Sequence, residues 1–117
     1  NAVNEEDEIE YISFEEFEKA DLRVAVIKEA EKIKKSNKLL KLQVSVGNTR
    51  RQIVAGIAKS YKPEDLIGRK IIIVYNLQPA KLFGTESQGM LLAVETADGK
   101  LETLTVGDNV DSGTKVR

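Results

Sequence analysis

The run Leu39-Leu40-Lys41-Leu42-Gln43-Val44-Ser45-Val46 alternates apolar and polar residues with period two and leads directly into Gly47-Asn48. Successive side chains of a strand point to opposite faces, so this pattern predicts a half-buried β-strand closed by a tight turn. Its neighbours read the same way. Leu22 to Ile27 is rich in β-branched residues, Gln52-Ile53-Val54-Ala55 follows the turn, and Arg69 to Leu77 contains the apolar run Ile71-Ile72-Ile73-Val74. Met90 to Val94 and Leu101 to Val106 are two further strands across an Asp98-Gly99 hairpin turn, and Gln78 to Gly84 reads as a loop.

Helical signals are short and few. Ser13-Phe14-Glu15-Glu16 has the spacing of a capping box, in which Ser13 and Glu16 satisfy each other's free amides. Ile12 and Phe17 can staple this helix, and Phe14 and Phe17 share one face of it. Lys62-Pro63-Glu64-Asp65-Leu66 places Pro and acids where a second short helix would begin, and Gly68 ends it. An N-terminal short helix, three strands, a helix between strands 3 and 4, and further strands beyond it give an all-β fold with short helices. This is the chain order of a five-stranded OB-type barrel, with a β-sandwich as the alternative.

At 117 residues the chain is one domain, expected over residues 12–117, behind an acidic, mobile leader or linker end over residues 1–11. It has no cysteine and no histidine. That excludes disulfide frameworks, thiolate metal sites and histidine-based catalysis. No metal, no cofactor and no catalytic residue is expected. No apolar stretch is long enough to span a membrane, and a cytoplasmic setting fits the lack of a secretory pattern.

The net charge of −1 conceals an asymmetry. Eight of the nineteen acidic residues lie in the first eighteen positions, and all eighteen Lys and Arg come later. From residue 19 onward 18 basic residues face 11 acidic ones, a body of about +7. A basic body points to a polyanionic partner. Lys32, Lys34, Lys35, Lys38 and Lys41 cluster around Ser36-Asn37 between the first two strands, which in an OB barrel is the rim of the ligand face. Lysines there displace counterions from phosphates without reading sequence; the competing reading is an ordinary solvated loop. Aromatics make up only 5% of the chain, which favours folded RNA over a general single-strand binder.

Two glycine patterns are decoys. Gly84-Thr85-Glu86-Ser87-Gln88-Gly89 has phosphate-loop spacing, yet Met90-Leu91 stands where Lys-Ser/Thr is required. It also fails as a nucleophile elbow, because Thr85 precedes Ser87 by two and no histidine exists to activate the serine.

A longer pattern is more specific. Asp21-Leu22-Arg23-Val24, Asn37-Lys38-Leu39-Leu40, Arg51 to Ile57, Tyr61 to Gly68, Asn76-Leu77-Gln78-Pro79-Ala80-Lys81-Leu82-Phe83-Gly84, Glu86-Ser87-Gln88-Gly89-Met90 and Gly113 to Arg117 occur in that order. The chain from Ile12 onward thereby resembles the tRNA-binding domain appended to the C-terminus of methionyl-tRNA synthetase. The same module occurs as free-standing structure-specific tRNA-binding proteins and in the endothelial monocyte-activating polypeptide.

The resemblance implies a non-catalytic OB module that binds tRNA by shape, with a synthetase catalytic domain in cis and a homodimer. It implies RNA contacts from Lys32, Lys34, Lys35, Asn37, Lys38, Lys41, Arg51, Lys81, Ser87, Gln88 and Met90, with Ser87 and Met90 facing RNA. It also implies a dimer interface of Phe14, Phe17, Val110 and Val116. The alternative is a dimerisation or export-chaperone-like module that binds peptide. One segment departs from the family pattern: Lys32-Ile33-Lys34-Lys35-Ser36-Asn37-Lys38 stands in place of a His-Pro-Asn-Ala-Asp-Lys-like stretch, exchanging His, Pro and acid for lysines.

Overall fold

The computed structural model describes residues 8–117, so residues 1–7 of the expected leader lie outside the described residues. The first helix, α1 (Phe14–Glu18), carries both halves of the expected capping box. Ser13 Oγ accepts from the Glu16 amide, and Glu16 Oε1 from the Ser13 amide, each at 3.0 Å. The helix buries none of its residues. Asn76 secures its far end: its Oδ1 accepts from the Asp21 amide at 2.9 Å and its Nδ2 donates to the Lys19 carbonyl at 2.7 Å.

A curled antiparallel sheet follows, OB-like in form. Strand β1 (Leu22–Lys32) is the spine: its first half pairs with β4 (Lys70–Val74) and its second half with β2 (Leu40–Val46). A register shift between Ile27 and Glu29 marks the handover, and such bulges bend a strand and increase its twist. The expected first strand ended at Ile27 because Lys28 to Lys32 lacks an apolar pattern. The strand continues because its ladder needs backbone groups only, and Ala30 opposite Leu42 keeps that half against the core. Strand β3 (Thr49–Ala55) completes the hairpin across Gly47-Asn48. In β2 the residues Leu40, Leu42, Val44 and Val46 are buried and the intervening ones are not, as the alternation requires.

The second helix is a single 3-10 turn, Pro63–Leu66, which puts Leu66 in the core beside Ile27, Leu42, Ile53, Ile71 and Ile73. Beyond β4 the sequence reading needs correction. The segment read as a loop is a hairpin, β5 (Ala80–Leu82) paired with β6 (Thr85–Ser87). Its turn is Phe83-Gly84, both at positive φ. The expected strand Met90 to Val94 is divided: β7 (Met90–Leu91) pairs with β4, while β8 (Ala93–Glu95) pairs with β9 (Leu101–Thr103). A last strand, β10 (Lys115–Val116), unforeseen because it is two residues long, pairs with the start of β1. The principal sheet thus runs β3-β2-β1-β4-β7, with β10 also on β1.

Candidate nucleic-acid interface

The sheet's free edge at β3 approaches the link between β6 and β7, and side chains make this junction. Ser87 Oγ accepts from the Val54 amide and donates to the Gly89 carbonyl, both at 2.9 Å. Gln88 Oε1 accepts from the Gln52 amide at 2.9 Å, while the Gln88 amide donates to the Gln52 carbonyl at 2.7 Å. Gln52 Nε2 in turn donates to the Glu86 carbonyl at 2.7 Å and accepts, through Oε1, from Gln43 Nε2 at 2.9 Å. Ser87 and Gln88 stand in for missing ladder bonds and fix the β5–β6 hairpin to the β2–β3 face.

Ser87 is therefore placed differently from the expectation that it faces RNA: its residue is only 5% exposed and its hydroxyl is fully engaged. Removing that hydroxyl would strand a buried amide, which costs about 1–3 kcal/mol. Ser87→Ala is expected to lower stability by about that amount in urea unfolding. A urea midpoint unchanged from the parent would contradict this role. Met90, two residues from the engaged amide plane of Gln88, is 45% exposed.

The lysine loop between β1 and β2 is internally braced. The Ser36 amide donates to the Ile33 carbonyl at 3.0 Å, the Lys38 amide to Ser36 Oγ at 3.1 Å, and the Ala58 amide to the Lys38 carbonyl at 3.0 Å. Lys34, Lys35, Asn37 and Lys38 remain exposed on this frame. Together with Ser36, Leu39 and Phe83 they line an open recess, so the lysine loop and the tip of the β5–β6 hairpin meet. Phe83 was missed in the sequence reading; its only signal there was Leu82-Phe83-Gly84, an apolar pair exposed before a glycine.

The other expected contacts divide into free and engaged groups. Lys81 is exposed on β5, opposite Glu86 in the ladder. Lys32 is exposed but opens toward a neighbouring recess with Lys59 and Lys62 rather than toward Phe83. Lys41 Nζ is 2.7 Å from Glu31 Oε2 across the β1–β2 ladder. Arg51 donates from Nη1 to the carbonyls of Tyr75 at 2.9 Å and Gln88 at 3.1 Å, and its guanidinium lies 3.9 Å from the Tyr75 ring centre. Arg23 approaches the same ring at 5.0 Å and forms a two-pronged pair with Asp21, at 2.7 and 3.0 Å. The hydrogen bond that Arg23 donates to Asp21 raises the Arg23 pKa above its ordinary value. Arg23, Arg51 and Lys41 are thus committed to intramolecular partners.

Of the expected interface residues, Phe14, Phe17 and Val116 line one shallow groove, shared with Glu18, Ala20, Lys115 and Arg117. Val110 does not line it; its carbonyl instead accepts from Lys70 Nζ. Among the described residues no cluster of metal-binding side chains is present, and no helix is long and apolar enough to cross a membrane.

A curled OB-like half-barrel with lysines on the loop between its first two strands, beside the tip of the hairpin after its fourth, has the arrangement of oligonucleotide- and oligosaccharide-binding modules. The family model described as "Putative tRNA binding domain" matches residues 22–115. The chain belongs to that family, one of non-catalytic binding domains. It is 59% identical over 111 residues to a methionine–tRNA ligase of Caldanaerobacter subterraneus subsp. tengcongensis, covering 95% of this chain and 17% of that protein. It thus spans about one sixth of the length of such relatives. Among solved structures, a MetRS related protein from Pyrococcus horikoshii is 47% identical with a TM-score of 0.88, covering 93% of this chain and all of that one. The chaperone CsaA from Bacillus anthracis str. Ames is 30% identical with a TM-score of 0.83, covering 92% of this chain and all of that one.

Proposed function

We propose that this chain binds tRNA through the rim where the lysine loop meets the β5–β6 hairpin. The convergence of those two segments at one end of the β2–β3 face is the observation that carries the reading. Lys34, Lys35 and Lys38 neutralise phosphates beside Asn37, exposed Lys81 and Met90 add contacts along the hairpin and the link after it, and Lys32 extends the basic surface toward Lys59 and Lys62. Lys41, Arg51 and Gln88 shape that surface through the bonds they already make, and Ser87 supports it from below. Ammonium groups read no base edges, so the module follows tRNA shape and tolerates sequence.

In the cell it acts in the cytoplasm as the C-terminal appendage of methionyl-tRNA synthetase, with the catalytic domain in cis. Tethering then raises the tRNA concentration near that catalytic site. Amide chemical shifts recorded during a tRNA titration test the placement. Shifts concentrated in 33–39 and 80–90 are expected; shifts confined to other segments would refute it.

A homodimer accompanies this reading, the apolar groove of Phe14, Phe17 and Val116 meeting its copy. Phe14→Glu with Phe17→Glu would put charges into that contact, so the double variant is expected to sediment as a monomer where the parent sediments as a dimer. A parent that is already monomeric would remove this part of the proposal. The likeness to the CsaA chaperone favours peptide binding as a second reading. It is distinguished by binding of an extended peptide that tRNA does not displace.

A further inference from the structure

We propose that Phe83 is a stacking platform for one unpaired base of the bound RNA, with the neighbouring lysines holding the phosphates on either side of it. This inference rests on the tRNA-binding reading and adds to it a subsite for a single-stranded nucleotide.

The backbone at Phe83 supplies the first observation. Its φ of 51° makes it the sole non-glycine residue at positive φ among the described residues. A side chain in the left-handed region is strained, and Gly or Asn would occupy this turn more easily. Such strain persists where the surrounding structure enforces it and tends to mark a ligand contact.

Exposure is the second observation. Phe83 is 61% exposed, so the ring repays the strain with little burial. The arms of the hairpin are held by the β5–β6 ladder, by the Gln52 bond to the Glu86 carbonyl and by the anchored Ser87, so the ring stands on a rigid base. A pre-organised aromatic loses little freedom when something flat lies on it.

The third observation is the company the ring keeps. Phe83 shares its recess with Lys34, Lys35, Asn37 and Lys38. An apolar protein partner covering the ring would also have to desolvate three ammonium groups, which is costly. An RNA strand suits both features, presenting a π-face to the ring and phosphates to the lysines. The Asn37 amide offers both a donor and an acceptor to a base edge. Bases inside an A-form helix are stacked on both sides and cannot reach the ring, so the target is a nucleotide in a loop, a bulge or an end.

The chain contains no tryptophan, so Phe83→Trp introduces a single indole reporter at the proposed subsite. The probes are an end-labelled RNA hairpin with an unpaired loop and a blunt duplex of equal charge. Anisotropy of the labelled RNA measures occupancy, and indole emission reports stacking. The hairpin is expected to quench Phe83→Trp emission at saturation, and the duplex at equal occupancy is not.

A second variant, Phe83→Gly, relieves the strained turn. It is expected to melt no lower than the parent while losing about 5- to 150-fold in hairpin affinity, the range for one base stack, with duplex affinity unchanged. Hairpin binding equal to the parent by Phe83→Gly would overturn the stacking role, as would unquenched indole emission at full occupancy. In either case intact salt-dependent binding would leave the tRNA reading standing. Absence of RNA binding by the parent would remove both.

Discussion

Gly89→Ala is expected to destabilise the domain by about 3–5 kcal/mol, a large loss for a single added methyl. Gly89 has φ 137°, a conformation that L side chains rarely adopt. A Cβ there would lie 2.9 Å from the Val74 carbonyl oxygen and 3.2 Å from Ile53 Cδ1. The first contact is backbone in a paired strand and the second is the tip of a fully buried core residue, so neither can withdraw cheaply. Backbone strain of about 1–3 kcal/mol and overpacking of about 1–3 kcal/mol act together. Domains of this size have roughly 5–15 kcal/mol in total. The melting temperature is therefore expected to fall by more than about 10 °C. Urea unfolding followed by circular dichroism checks this; a loss below about 1 kcal/mol would mean that the β6–β7 link can shift away from β4 without cost. Because Gln88 and Met90 flank this glycine, tRNA binding should weaken in parallel.

The second large effect falls on affinity instead of stability. Simultaneous replacement of Lys34, Lys35 and Lys38 by Ala is expected to weaken tRNA binding by about ten-fold to a few hundred-fold near 0.1 M salt, with all tRNAs affected about equally. Each phosphate contact contributes about 0.7–0.9 to the slope of log affinity against log salt, so the slope should flatten by about 2–3 if all three lysines are engaged. The three side chains are exposed, and the loop is braced through backbone groups and Ser36, so the melting temperature should hardly move. Filter binding across a salt series, beside a thermal melt of the same variant, separates the two quantities. An unchanged slope would place the RNA elsewhere, with the recess beside Lys32, Lys59 and Lys62 as the next surface to examine.

These two predictions draw on parts of the molecule that differ in how far local sequence reveals them. The lysine loop is contiguous and sits just before the period-two strand, so both its charge and its place in an OB-like fold are legible. The capping box at Ser13 and Glu16, the turn at Gly47 and the Asp98-Gly99 hairpin are equally local, and each forms. What local pattern does not convey is the junction that Ser87, Gln88 and Gly89 make with β3 and β4. The bond from the Val54 amide to Ser87 spans 33 residues, and the one from the Gln52 amide to Gln88 spans 36. The resemblance therefore implies an RNA-facing Ser87, whereas in the fold its hydroxyl is buried and bonded to the Val54 amide and the Gly89 carbonyl.

The β5–β6 hairpin was obscured for a related reason. Pro79 and Gly84 break the local pattern, and three-residue arms are too short to show alternation. Without the hairpin, Phe83 counts only as one of few aromatics; with it, the ring stands beside the lysines. The second half of β1 escaped notice because its charged side chains face water while its backbone pairs with β2.

The most direct test of the central claim is a gel-shift titration of the parent chain with unfractionated tRNA at two salt concentrations, with blunt duplex RNA and unstructured single-stranded RNA as competitors. Binding that weakens steeply with salt, is shared by several tRNA species and resists both competitors is the predicted result. Absence of binding at low salt, or binding that duplex or single-stranded RNA displaces as readily as tRNA does, would contradict a tRNA-shape-reading module.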